Sequence, residues 1–288
     1  MPWLDWLTVP FEPAFMQRAL VGGIVAVVAT SLVGTWVVLR GMAFLGDALA
    51  HGVVPGVALA VLWGFSPIVG ALVAALVMSG LVGVVSNRAR VREDTGIGLL
   101  FVGMLALGVV IVSKSDSFTT DVTALLFGDV LGVSVADIRG QVVAATIVVA
   151  ATVALYRPFL ALTFNRDKAF TLGMHPSLAQ ATMLSLLALS IVASFQAIGT
   201  LLVFALLVAP PSTALLFVRR VPAVMLVSIV LGSAAVVLGL VLSYHHGTAG
   251  GATVAGVSVA GFFVALVVRE MADVVRRGRA EPALQRLR

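Results

Sequence analysis

Nine runs of about 20 predominantly apolar residues, each closed off by charge, proline or glycine, constrain this chain more than any other feature. A run of that length crosses the roughly 30 Å hydrocarbon core of a bilayer as one helix. Lipid offers no partner to backbone polar groups, so spanning segments must satisfy their own hydrogen bonds. The runs cover residues 17–39, 42–63, 67–86, 95–113, 137–156, 178–198, 199–218, 222–243 and 252–268. The sixth and seventh form one apolar stretch too long for a single span, and residues 196–199 are the expected break. The reading is all-α: a polytopic membrane protein of about nine transmembrane helices, with eight or ten compatible with the same boundaries. Composition agrees: 11% of the 288 residues are charged and 60% hydrophobic, whereas a soluble domain carries about 25% charged residues. That excludes a soluble enzyme, a disordered chain and a nucleic-acid-binding domain. The absence of cysteine excludes disulfides, thiolate metal ligands and a cysteine nucleophile.

The positive residues give an orientation. Arg40, the loop at 87–94, the loop at 157–177, Arg219, Arg220 and the tail from Arg269 hold 15 of the 18 lysines and arginines. Only Arg18, Lys114 and Arg139 fall on the other side. The positive-inside rule makes the rich side cytoplasmic and leaves the N-terminus outside. The chain then divides into an extracytoplasmic, interfacial segment 1–16, a transmembrane body 17–268 and a basic cytoplasmic tail 269–288. Residues 1–15 lack the basic start of a signal peptide, and Trp3 and Trp6 suit the bilayer interface. The pI near 10.7 is thus explained by topology, without nucleic acid as a partner.

The outer segment 114–136 has an apolar centre, 123–133, too short to span, which suits a re-entrant or interfacial helix. Asp116, Asp121, Asp129 and Asp137 give that mouth a negative bias. The bias either concentrates cations or is ordinary solvated loop charge.

The second span contains Gly46-Asp47-Ala48-Leu49-Ala50-His51-Gly52-Val53-Val54-Pro55-Gly56. Asp47 is the one acidic residue in the interior of a predicted span, and His51 the one histidine. At i,i+4 they share a helix face. His51 lies eleven residues past Arg40, or roughly 16 Å at helical rise, near mid-bilayer. An ionisable pair at that depth marks a functional path by default. Carboxylate and imidazole together suit a divalent transition metal; the alternative is a structural hydrogen bond that clamps two helices. Pro55 cannot bond to the His51 carbonyl, so a kink is expected there with that carbonyl freed. Gly52 and Gly56 are spaced for close approach of a neighbouring helix.

In the loop at 157–177, the stretch Phe164–Gly173 reads as a short helix capped by Thr163 or Asn165 and ended by Gly173 and Pro176. It suits either a docking helix for a cytosolic partner or an amphipathic helix on the membrane through Leu160 and Phe170. His245 and His246 fall in the last outer loop as weak metal capture or a polar turn, and His175 reads as a loop residue. There is no His-Glu-x-x-His motif, and neither lysine, Lys114 or Lys168, follows a phosphate-binding glycine loop. ATP, if used, is hydrolysed by another polypeptide.

These residues resemble the integral membrane permease subunits of zinc/manganese/iron-uptake ABC importers. Gly46–Gly56 is similar to the family's signature segment, Leu125–Ser134 to its second hallmark and Phe164–Gly173 to its cytoplasmic coupling helix. Ser194–Thr200 and Ala209–Ala214 resemble its penultimate helix pair. The likeness runs in order over residues 34–265. It implies a non-enzymatic homodimer around one path, a cytosolic ABC ATPase dimer and an extracytoplasmic substrate-binding protein. It implies that Asp47 and His51 contact the metal, and that Phe164, Asp167, Ala169 and Gly173 serve ATPase coupling. Asn165 stands where an acidic residue is usual, and Gly52 where alanine is common. No resident cofactor is implied; zinc or manganese is the cargo, and both accept these donors. A proton- or cation-coupled secondary transporter using Asp47 and His51 as a relay is the alternative. It lacks an inverted repeat and a second charged span. A scaffold protein is a third reading.

Overall fold

The computed structural model describes residues 2–88, 93–113 and 132–285. Every regular element among them is helical: α1 (Pro2–Thr8), a 3-10 turn (Val9–Phe11), α2 (Ala14–Leu39), α3 (Phe44–Gly52), α4 (Val54–Trp63), α5 (Pro67–Arg88) and α6 (Glu93–Val112). After these come α7 (Val135–Ala154), α8 (Tyr156–Phe164), α9 (Arg166–Thr171), α10 (Pro176–Ile198), α11 (Thr200–Phe217), α12 (Val221–His246) and α13 (Gly250–Gln285). Among the described residues nine segments are long and apolar enough to cross a membrane, α3 and α4 together forming the second. The predicted spans and the break before Gly199 agree with this. The expected re-entrant helix at 123–133 lies almost wholly outside the described residues.

Local chemistry explains the boundaries. Gly41 takes φ +69°, a left-handed conformation that glycine adopts without a Cβ penalty. Its N–H donates to the Val38 carbonyl and that of Met42 to Val37, so the last carbonyls of α2 are satisfied as the chain turns into α3. Ser134 and Asp137 form a reciprocal capping box that starts α7. Pro176 and Pro222 occupy first turns, where a missing N–H costs nothing.

α2 lies against α7, α10, α11 and α12, and its Trp36 is fully buried. Gly34 permits the closest crossing: a Cβ there would collide with the Leu207 carbonyl oxygen of α11. Buried hydroxyls bond one turn back, as Thr30 does to Ala26 at 2.8 Å, Thr35 to Ser31 at 2.7 Å and Thr213 to Ala209 at 2.8 Å. This is the local solution available to hydroxyls in an apolar interior. The apolar windows of α6 and α13 are only 17% and 22% buried, so these helices turn hydrophobic surface outward.

Three boundaries differ from the sequence reading. Residues 157–163, placed in a loop, belong to α8, because Phe159 and Leu162 bury while Tyr156 and Phe159 meet the Trp36 ring, each with centroids 5.8 Å apart. His245 and His246 close α12 rather than sitting in the following turn. The tail from 269 continues α13 without a break to Gln285.

Candidate metal path

Asp47 and His51 face each other on one side of α3. Asp47 Oδ1 lies 3.4 Å from His51 Nε2, and the two side chains are 32% and 28% exposed. The opposite side of the helix is buried through Leu45, Ala48, Leu49 and Gly52. α3 therefore anchors by its apolar face and turns the carboxylate and imidazole toward open space. Phe101 of α6 forms one wall of that space. Its ring meets His51 edge-on at 5.9 Å and Phe44 at 5.7 Å. The imidazole thus has one apolar contact and one polar one, which fixes its plane beside the carboxylate.

The break behind the pair follows from Pro55. With no N–H to give, proline is accommodated in the first turn of a new helix, and α4 starts at Val54. Val53 keeps right-handed helical angles, φ −78° and ψ −17°, so the interruption is local. The helix is interrupted at Val53 as expected, and the His51 carbonyl lacks the i+4 bond that Pro55 cannot donate. The glycine expectation is met closely. A Cβ at Gly52 would strike Met78 Sδ, and one at Gly56 the carbonyl oxygen of Gly70. Gly56 thus lets α4 meet the α5 backbone directly, while Gly52 makes room for the Met78 side chain of α5.

Among the described residues no group of three or more His, Asp or Glu side chains gathers to form a closed metal shell. Asp47 offers a hard carboxylate oxygen and His51 an imidazole nitrogen, two donors that alone could fill only part of the coordination of a four- to six-coordinate ion. Such an incomplete set suits an ion that must leave again.

The other predicted positions are spread apart. Phe164 ends α8 and is 68% exposed, whereas Ala169 is fully buried. Asn165 is extended between α8 and α9, and its carbonyl accepts from the Ala169 N–H, so Asn165 starts α9. Thr163 does not cap it, since its hydroxyl donates to Phe159 at 2.8 Å. Gly173 has φ +70° and ends the turn. The Asp167 side chain lies outside the described residues. Phe170 is 74% exposed, so the short helix presents an aromatic surface at the end of the bundle.

His245 is engaged with the N-terminal segment, a contact with no local signal in the sequence. Its ring stacks on Trp6 at 4.9 Å and 4°, and its Nε2 lies 2.9 Å from the Trp6 carbonyl oxygen. His246 is exposed, and no third donor joins the two histidines among the described residues. His175 has φ 42°, directly before Pro176.

The model of the ABC 3 transport family matches residues 12–269, nearly the whole bundle. The chain belongs to that family. It is 35% identical over 262 residues to a probable iron transport system membrane protein of Haemophilus influenzae, covering 91% of this chain and 96% of that one. It is 31% identical to the manganese transport system membrane protein MntC of Listeria monocytogenes, covering 88% and 90%. Among solved structures, PsaBC from Streptococcus pneumoniae in complex with Fab superposes with a TM-score of 0.79 at 28% identity, covering 91% of this chain and 94% of that one. The resemblance drawn from Gly46–Gly56 and the later motifs is thus the family the chain is in. This ABC 3 family member is a multi-pass membrane protein of the permease type, with no ATP-binding loop of its own.

Proposed function

We propose that this ABC 3 family protein is the permease subunit of an ATP-driven importer of divalent transition-metal ions. One observation carries the reading: a carboxylate and an imidazole share the open face of a span otherwise built of apolar residues. The contact joins residues of one helix and so clamps no second one, and an ionisable pair within a span is costly unless it lines a polar path. Manganese and iron are the cargo named for relatives, and zinc accepts the same donors.

The proposal carries a division of labour. A second copy of the chain faces the first across the Asp47–His51 surface and completes the ion's surroundings, so the working unit is a homodimer. A substrate-binding protein delivers metal to the outer mouth. A separate ATPase dimer engages Phe164, Asp167, Ala169 and Gly173 and swings the spans between outward and inward access. The basic side is cytoplasmic and the N-terminus outside. Co-expression with the ATPase and uptake into proteoliposomes tests this. Metal accumulation should require ATP and the partner; uptake driven by a proton gradient alone would favour a secondary carrier.

A further inference from the structure

A cavity of about 390 Å³ at the rim of the bundle has no part in the transport reading. It lies between the end of α11 and residues 268–273 of α13. Phe217 and Arg219 line one side, and Val268, Arg269 and Asp273 the other. Phe217 is the last residue of α11, and Val268 is the last residue of α13 before its first charge, Arg269, so the cavity sits where both apolar runs end.

Its walls are of two kinds. Two guanidinium groups and one carboxylate leave a net positive charge. Arg269 Nε is 4.0 Å from Asp273 Oδ2, the outer limit of an ion pair, and both side chains remain more than 40% exposed. Asp273 therefore does not hold the Arg269 fork closed. The apolar wall is open outward, with Phe217 57% and Val268 54% exposed. Guanidinium is the side chain best matched to phosphate, because its planar fork donates two parallel hydrogen bonds. Basic pockets between spans at the cytoplasmic boundary meet a leaflet rich in anionic headgroups.

The geometry points to a binding site for an anionic phospholipid. Its phosphodiester sits between Arg219 and Arg269, and its acyl chains run along Phe217 and Val268. A free phosphate satisfies the arginines but not the apolar wall. The assignment rests on the orientation proposed above, which places this rim in the cytoplasmic leaflet.

The test uses the full-length protein in neutral detergent, given equal amounts of phosphatidylglycerol and phosphatidylcholine, with retained lipid read by native mass spectrometry. The wild type should retain phosphatidylglycerol preferentially. The double variant Arg219→Gln, Arg269→Gln should lose that preference by about tenfold or more, and Asp273→Asn, which removes the competing carboxylate, should strengthen it. Millimolar inorganic phosphate should leave the lipid bound. Equal retention of both lipids, an unchanged double variant, or displacement by phosphate alone overturns the assignment. If the double variant does not fold, an unaltered preference in Asp273→Asn overturns it. Wild-type capture of the separate ATPase in lipid-free detergent, lost in the double variant, would reassign the cavity to that partner. Transport is not read in this experiment, so its failure is distinct from a failure of the permease reading.

Discussion

Gly56 of α4 and Gly70 of α5 lie backbone to backbone: a Cβ built on either would collide with the carbonyl oxygen of the other. The reciprocity means that two helices share one crossing point with no side chain between them. Beside it a Cβ at Gly56 would come 2.6 Å from Ala74 Cβ, and one at Gly70 2.7 Å from Ala60 Cβ. Without a hydrophobic drive between helices in lipid, such close packing is what holds α4 against α5. It also sets the helix that follows Asp47 and His51.

Gly56→Ala and Gly70→Ala should therefore each cost about 1–3 kcal/mol through overpacking. Thermal unfolding of the detergent-purified protein measures this. Gly80 and Gly83, also on α5, meet nothing within 4 Å of an added Cβ. Alanine there should be neutral or stabilise by roughly 0.5–1 kcal/mol, since helical glycine gives up more backbone entropy.

The exposed end of α8 leads to a second prediction. Phe164 is 68% exposed, so Phe164→Ala should change stability by less than about 0.5 kcal/mol. ATP-driven uptake and co-purification of the ATPase should both fall. Ala169 is fully buried, and Ala169→Leu should instead lower the melting temperature. Parallel melting curves and pull-downs separate the two effects.

The Trp6–His245 stack is testable by amide exchange. His245→Ala removes the ring stack on Trp6 and the contact with its carbonyl, together worth about 1–2 kcal/mol. Exchange in α1 should quicken, while uptake at saturating metal stays near wild type. His246→Ala should alter neither. Reduced metal capture in both variants would restore a role for the pair at the outer mouth.

How much of this was legible beforehand depended on the range of each interaction. Span length, the Gly199 break, the Pro55 interruption and the shared face of Asp47 and His51 follow from spacing within one helix, which sequence reports directly. α8 was missed because Tyr156 and Phe159 gain a ring partner, Trp36, from α2, more than 100 positions earlier. The Trp6–His245 stack joins residues 239 apart. No local pattern encodes such a pairing.

The central claim is that Asp47 and His51 line the path of the ion, and metal accumulation tests it most directly. Cells lacking their own uptake system would carry the wild-type protein with its partners, or Asp47→Ala or His51→Ala at matched membrane abundance. Cell-associated manganese, iron and zinc would be measured by mass spectrometry. Wild-type cells should accumulate at least one of these metals, and both variants should fall to the level of cells with no permease. Wild-type accumulation by either variant would contradict the account.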